Sequence, residues 1–299
     1  MPPPSQQSSE PGRYSQLTAR SAKKLVEENF RQAGLAFAEQ EAMELVMAAT
    51  GKTRTDIILG DSSFLAAEDL EKVSDFEARR LSGEPVDAIL GWREFYGRRF
   101  KITKDVLSPR EDTENLVRLA LNALKGKTSP YCLDRGTGSG AIILSLLAER
   151  QDLRGVSVDI SDAALGVAQE NAALLGVSER VEFIQSSWFE NVTGSYDLIV
   201  SNPPYISDEA MEGLESEVLE YDPDISLRGG RDGLTAYRQI IEMAKDFLAP
   251  SGSLWVEIGY DQSEAVQSLF QQNHLIEIEV HKDLSGQDRC VGGKSQAEI

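Results

Sequence analysis

From residue 131 onward the chain alternates short runs of strand-forming residues with apolar helical stretches, and this rhythm limits the available folds more than any other feature. Strands are read at 131–133, 155–158, 181–184, 196–200, 253–258 and 276–280. Helices are read at 141–148, 163–175, 234–248 and 264–272. Strands separated by helices pair through crossovers rather than hairpins, and the helices then cover both faces of a mainly parallel sheet. The fourth run carries Leu198-Ile199-Val200 and leaves no polar face, as a central strand requires.

The first strand enters Asp134-Arg135-Gly136-Thr137-Gly138-Ser139-Gly140 before its helix. Glycines there allow a tight turn and let a ligand lie against the main chain. Amides at the start of the following helix are expected to face the same ligand. The spacing is G-x-G-x-G, with Ala141 at the sixth place, so it is neither the dinucleotide fingerprint nor a phosphate P-loop. An acid followed by G-x-G-x-G is the usual first motif of S-adenosylmethionine-dependent methyltransferases. Asp159 ends the second strand, where a carboxylate can accept both ribose hydroxyls or cap the next helix. Trp188, past the third strand, can cover an adenine or pack in the core.

The fourth strand runs into Asn202-Pro203-Pro204-Tyr205. Two prolines end the strand and stiffen the turn. The Asn202 side-chain oxygen and the Pro203 carbonyl are then two fixed acceptors at the carboxyl end of the sheet, suited to the two N–H groups of a planar amide or amine. They favour the geometry in which the nitrogen lone pair faces a methyl donor and stabilise the charge that develops on it. Tyr205 can stack on the planar group.

Ahead of the alternating region lie two other segments. Residues 15–82 show helical spacing, with Leu25, Val26, Phe30, Leu45, Val46, Val73 and Phe76 and breaks at Gly34, Gly51 and Gly60-Asp61, and are read as a helical docking domain. Residues 83–109 hold Ile89, Trp92, Phe95, Tyr96, Phe100 and Ile102 with turn glycines, and are read as a β-hairpin linker. Residues 110–293 are read as a domain built on the alternating sheet, and 1–14 and 294–299 as tails.

Composition enters as exclusion. Lys plus Arg is 30 against 49 Asp plus Glu, a net charge of −19, which opposes a partner held through phosphates. From Pro204 to Asp232 there are nine acids and two arginines, so no basic groove for DNA lies beside the turn. No apolar run is long enough to span a membrane, and no secretory signal is expected. Cys132 and Cys290 are read as reduced, buried thiols. His274 and His281 lack metal-ligand spacing, so no metal is expected.

With these residues in place the chain resembles the bacterial-type release-factor glutamine methyltransferase family from about residue 15 to 293. The matching stretches are Gly83-Glu84-Pro85, Ile89-Leu90-Gly91, Glu94-Phe95-Tyr96-Gly97, Pro109-Arg110-Glu111-Asp112-Thr113-Glu114, Asp134 to Gly140, Asn202 to Tyr205, Gly230-Arg231-Asp232-Gly233-Leu234, and Asp283-Leu284, Gly286 and Asp288-Arg289. Asn-Pro-Pro-Tyr is shared with amino-methylating DNA enzymes; the Pro-Arg-x-x-Thr-Glu stretch and the helical N-terminal part are specific to the family. The resemblance implies a Rossmann-like class I methyltransferase sheet with an N-terminal helical bundle. It implies S-adenosylmethionine held by Gly136, Thr137, Gly138, Ser139, Gly140, Asp159, Trp188 and Asn202. It implies a glutamine received by Asn202, Pro203, Pro204 and Tyr205, in the Gly-Gly-Gln loop of a peptide chain release factor gripped by the helical domain and hairpin. A cytoplasmic monomer without direct nucleic-acid contact is expected. Two residues depart from the family pattern: Arg135, where an apolar residue is usual, and Ser187, where Asp is usual. Both bear on cofactor binding and leave open a cofactor-binding protein with little activity. A ribosomal-protein glutamine and a DNA adenine are the other acceptors the same turn could serve.

Overall fold

The computed structural model describes residues 16–60, 62–214 and 216–296. The expected tail at 1–14 lies outside them. The chain divides into two units, Met1–Leu90 and Gly91–Ile299.

The first unit is helical: α1 (Ala19–Gln32), α2 (Ala38–Thr50), α3 (Arg54–Leu59), α4 (Ala67–Leu81) and α5 (Val86–Leu90). Thr18 and Ser21 close a capping box on α1, as Thr53 and Asp56 do on α3. The apolar faces meet in one core containing Phe30, Leu45, Val46, Ile57 and Val73. Arg80 and Glu41 form a nearly buried ion pair at 2.9 Å that joins α4 to α2. α5 revises the hairpin expectation for 83–109. Pro85 accepts from the Ile89 amide and opens a helical turn, and Ile89 packs into the helical core rather than a strand.

The second unit begins with the hairpin β1 (Trp92–Phe95) and β2 (Arg98–Lys101), turned at Tyr96-Gly97, both with positive φ. Phe95 and Phe100 bury into the core of the sheet unit, and Asn171 clasps Lys101 through both main-chain groups at 2.7 and 3.1 Å. There follow α6 (Thr113–Ala123), β3 (Tyr131–Arg135), α7 (Ala141–Glu149), β4 (Arg154–Asp159), α8 (Asp162–Leu174), β5 (Val181–Gln185) and β6 (Tyr196–Ser201). A short pair, β7 (Ile206–Ser207) and β8 (Arg228–Gly230), encloses α9 (Asp208–Met211), α10 (Ser216–Tyr221) and α11 (Asp224–Leu227). The chain ends with α12 (Thr235–Phe247), β9 (Leu248–Glu257), α13 (Ser263–Gln272), β10 (Ile276–Lys282) and β11 (Asp288–Lys294).

Among the described residues seven strands form one sheet in the order β10-β11-β9-β6-β3-β4-β5. β3, β4, β5, β6 and β9 run parallel, β11 pairs antiparallel with β9, and β10 pairs antiparallel with β11. The strand period of two divides the side chains between two cores. Cys132, Leu198 and Val200 face α6 and α7, while Leu133, Ile199, Leu254 and Val256 face α12 and α13. Fully burying such a side chain contributes roughly 1.5–3 kcal/mol. The terminal tail begins later than residue 294, because Lys294 still pairs with Ser253 and the Ser295 amide donates to Gly252. Cys132 and Cys290 are free and buried, and burial pushes both thiols up. Strand order reverses between β4 and β6 on either side of β3, so the crevice for a ligand opens at the carboxyl ends of these strands.

Candidate active site

A cavity of about 390 Å³ sits at that switch point. Its floor is Gly136 and Gly138, its walls include Asp159, Ser187 and Trp188, and Asn202 and Pro204 stand on the far side. Gly136 and Gly138 have φ of 69° and 54°, and a Cβ at either would meet no protein atom within 4 Å. They therefore form a cradle open to a ligand, which a side chain would fill.

The amides of this turn are already used. Gly136 and Thr137 donate to the Val158 carbonyl at 2.9 and 3.1 Å, and Gly138 donates to Asp159 Oδ2 at 2.9 Å. These three residues therefore offer a ligand a bare Cα surface rather than free amides. Asp159 Oδ1 accepts from the Ser161 amide at 3.0 Å, and the cap of α8 is Ser161, whose Oγ accepts from Ala164. Asp159 is thus left at the strand tip with a carboxylate edge on the cavity. Thr137, Ser139 and Gly140 stand behind the cradle. Thr137 Oγ1 reaches Asp134 at 2.5 Å and Ser157 at 2.7 Å, the Ser139 carbonyl accepts from Asn171, and Gly140 packs against Leu144 and Ala168. Asp134 is fully buried, and burial raises its carboxyl to about 7.

Arg135 does not reach solvent: it is 0% exposed, and its three guanidinium nitrogens have no hydrogen-bond partner among the described residues, although the Asp134 and Asp159 carboxyls act on it at longer range. It lies over the Phe189 ring at 4.2 Å and near Trp188 at 5.8 Å, and burial lowers its pKa to about 9. A cation–π contact returns only part of the lost hydration.

The turn after β6 is held on several sides. Pro203 is buried, and Asn202, Pro204 and Tyr205 are half-buried. Asn202 Nδ2 donates to Thr113 Oγ1 at 3.3 Å, which leaves Oδ1 for the cavity side. Gln262 Nε2 donates to the Tyr205 carbonyl at 2.9 Å and to that of Gly233 at 3.3 Å. A Cβ on Gly229 would stand 2.9 Å from the Pro204 carbonyl, and one on Gly233 would strike that of Tyr205. The Gly-Gly-Arg-Asp-Gly run is therefore glycine-rich so that its backbone can lie against the turn. Sequence reasoning assigned no role to Thr113, Gln262 or Glu257. Glu257 is 2% exposed at the end of β9; burial raises its carboxyl to about 7, opposed by Thr113, Arg289 and Asn202. Its only sequence signal was an acid at the end of an otherwise apolar strand.

A parallel sheet with a glycine cradle at its switch point, an acid at the next strand tip and an Asn-Pro-Pro-Tyr turn opposite defines a methyltransferase of the Rossmann-like class. The family model for the methyltransferase small domain matches residues 106–220, and that for the PrmC N-terminal domain matches 21–91. The catalytic domain of hMettl16 superimposes with a TM-score of 0.57 over 75% of this chain and 83% of that one; at 15% identity it speaks for the fold alone. The release factor glutamine methyltransferase of Caulobacter vibrioides is 39% identical over 93% of this chain and 96% of its own length. That of Agrobacterium fabrum is 41% identical over 87% and 91%. The chain belongs to the release factor glutamine methyltransferase family.

Proposed function

We propose that this protein methylates the side-chain amide nitrogen of the glutamine in the Gly-Gly-Gln loop of a peptide chain release factor. The observation that carries the reading is the Asn202-Pro203-Pro204-Tyr205 turn beside the glycine cradle, in a chain that matches release factor glutamine methyltransferases along nearly its whole length. S-adenosylmethionine supplies the methyl group as an electrophilic sulfonium. The residues present suit it: the bare Gly136–Gly138 surface for its body, Asp159 for the ribose hydroxyls and Trp188 for the adenine.

The chain's own part is to hold an amide. Asn202 Oδ1 and the Pro203 carbonyl accept its two N–H groups. An amide nitrogen is a poor nucleophile because its lone pair is delocalised. Two fixed acceptors turn that lone pair toward the methyl carbon and stabilise the positive charge as it forms. Tyr205 packs against the plane of the amide, and the proton leaves after transfer. No strong base is needed, and burial raises the Tyr205 phenol further from that role.

The supports for the finer reading are the charge and the surface. A net charge of −19 and the acidic run through α9 to α11 oppose direct nucleic-acid contact. Among the described residues no helix is long and apolar enough to cross a membrane. We read the enzyme as a cytoplasmic monomer that meets its release factor directly.

The test is single-turnover methylation with saturating S-adenosylmethionine. Asn202→Ala should lower the rate about 10²–10³-fold, the size of losing one preorganised polar contact, with little change in release-factor affinity. Near-normal chemistry in that variant would remove the turn from this role.

A further inference from the structure

Behind the turn lies a buried polar set that the amide-holding role of Asn202 does not use. Thr113 and Glu257 are 3% and 2% exposed. The register that pairs Ser201 with Val256 brings the residues that follow, Asn202 just past β6 and Glu257 at the end of β9, side by side. The Glu257 carboxyl faces both the Thr113 hydroxyl and the Asn202 amide, and its Oε2 is buried with no hydrogen-bond partner among the described residues. Asn202 Nδ2 donates to Thr113 Oγ1 at 3.3 Å. The Tyr237 hydroxyl donates to the Glu257 carbonyl at 2.8 Å and fixes the backbone that carries the carboxyl.

We infer that Glu257 and Thr113 are positioning residues that set which way the Asn202 amide faces. This rests on the reading of Asn202 as an acceptor for the substrate amide. An asparagine amide is nearly symmetric in shape, so packing alone does not choose between its oxygen and its nitrogen. Hydrogen bonding chooses. An ionised Glu257 accepts and cannot donate. It accepts a hydrogen bond from the Thr113 hydroxyl, so Thr113 Oγ1 is left to accept from Asn202 Nδ2. Oδ1 must then face the cavity, where an acceptor is required. A protonated Glu257 can donate. The Thr113 hydroxyl is then free to donate in turn, and Asn202 can flip to present N–H groups that repel those of the substrate.

Activity should therefore rise as Glu257 loses its proton, a transition that burial places near pH 7. The groups around the carboxyl are Asp112 beside Thr113, Arg289 and Cys290 on β11, Tyr205 of the turn and Tyr237 of α12. Burial moves Cys290, Tyr205 and Tyr237 upward, away from this range.

The experiment measures kcat and KM for a Gly-Gly-Gln release factor from pH 6 to 8.5 with the full chain and its variants. Wild-type kcat should climb about tenfold along a limb near pH 7. Glu257→Gln should flatten that limb and lower kcat about 10–100-fold, with KM for the factor unmoved. Thr113→Val should lower kcat similarly, and Thr113→Ser should recover most of the loss. Thr113→Val combined with Asn202→Ala should be no slower than Asn202→Ala alone, since both act through one group. If Asn202→Ala is slow but Thr113→Val is as fast as wild type, or if the limb persists in Glu257→Gln, the inference fails and the reading of Asn202 stands. If Asn202→Ala itself is as fast as wild type, the reading of the turn has failed first.

Discussion

Arg135 carries a guanidinium into an apolar layer beside Phe189, where none of its nitrogens is hydrogen-bonded to a described residue. An unpaired buried charge opposes folding, and removing it should help. Arg135→Leu should raise the unfolding free energy by about 1–4 kcal/mol, read by urea denaturation at pH 7. The sign with pH follows from the lowered pKa. The unfolded chain holds this proton well above pH 9 and the folded one only to about 9, so the penalty is complete below 9 and eases as pH rises above it. A less stable leucine variant would mean that stacking on Phe189 outweighs the lost hydration. Asp159 is the second residue with a clear test. Its oxygens hold Gly138 and Ser161 and border the cavity. Each charge-assisted bond to a ribose hydroxyl contributes roughly 1.5–3 kcal/mol, so Asp159→Ala should weaken S-adenosylmethionine binding more than tenfold by calorimetry. Unchanged affinity would reduce Asp159 to a brace for the turn. Ser187→Asp should tighten the same binding modestly, about fivefold, by offering the adenine amine a charged acceptor. Weaker binding would show a pocket fitted to serine.

At the scale of elements, the turn proposed to meet the substrate is fastened by close backbone approach as well as by the Gln262 and Thr113 side chains. Gly233 has φ of 72°, and its Cβ position is filled by the Tyr205 carbonyl and, at 2.5 Å, by Gln262 Nε2. Gly233→Ala should displace the turn and cut turnover at least about 10²-fold, because shifts of about 1 Å cost that much, while the sheet remains folded by circular dichroism. Normal turnover would show that the turn tolerates the displacement. The parallel core was legible because its strands are short apolar runs between helices of clear spacing, and each of those strands is present to within a few residues. β11 was not legible. Its Gly292 and Gly293 are poor strand formers, chosen because a Cβ there would strike Trp255 and Phe270. Ile89 looked like a strand residue, yet Pro85 starts a helical turn beneath it. In the site, Gly136, Gly138, Asp159, Trp188 and Asn202 were legible from spacing and border one cavity. Thr113 and Glu257 were not, since strand register brings Glu257 beside the turn and the start of α6 brings Thr113 there, proximities that no local pattern records.

For the whole molecule, two buried carboxyls act on how stability responds to pH above about 5, where the carboxyls shifted downward are already ionised. Asp134 and Glu257 are raised from 3.8 and 4.5 to about 7 in the folded protein. The folded state therefore keeps protons that the unfolded chain has released. Their stabilising contribution is complete below about pH 4 and is lost as pH rises through 7. The net charge of −19 adds self-repulsion in the same direction. The melting temperature without ligand should fall from pH 5 to pH 8, and Glu257→Gln should flatten part of that slope; a flat wild-type profile would contradict the shifts. What the fold, the cradle and the turn together claim is one reaction on one atom. The direct measurement is to incubate the protein with methyl-labelled S-adenosylmethionine and, separately, a Gly-Gly-Gln release factor, the same factor with that glutamine replaced, and duplex DNA, then locate the label by peptide mass spectrometry. Label on the side-chain nitrogen of the loop glutamine, absent from the replaced factor and from DNA, is the predicted result; label in the DNA, or in the factor lacking the glutamine, would contradict the account.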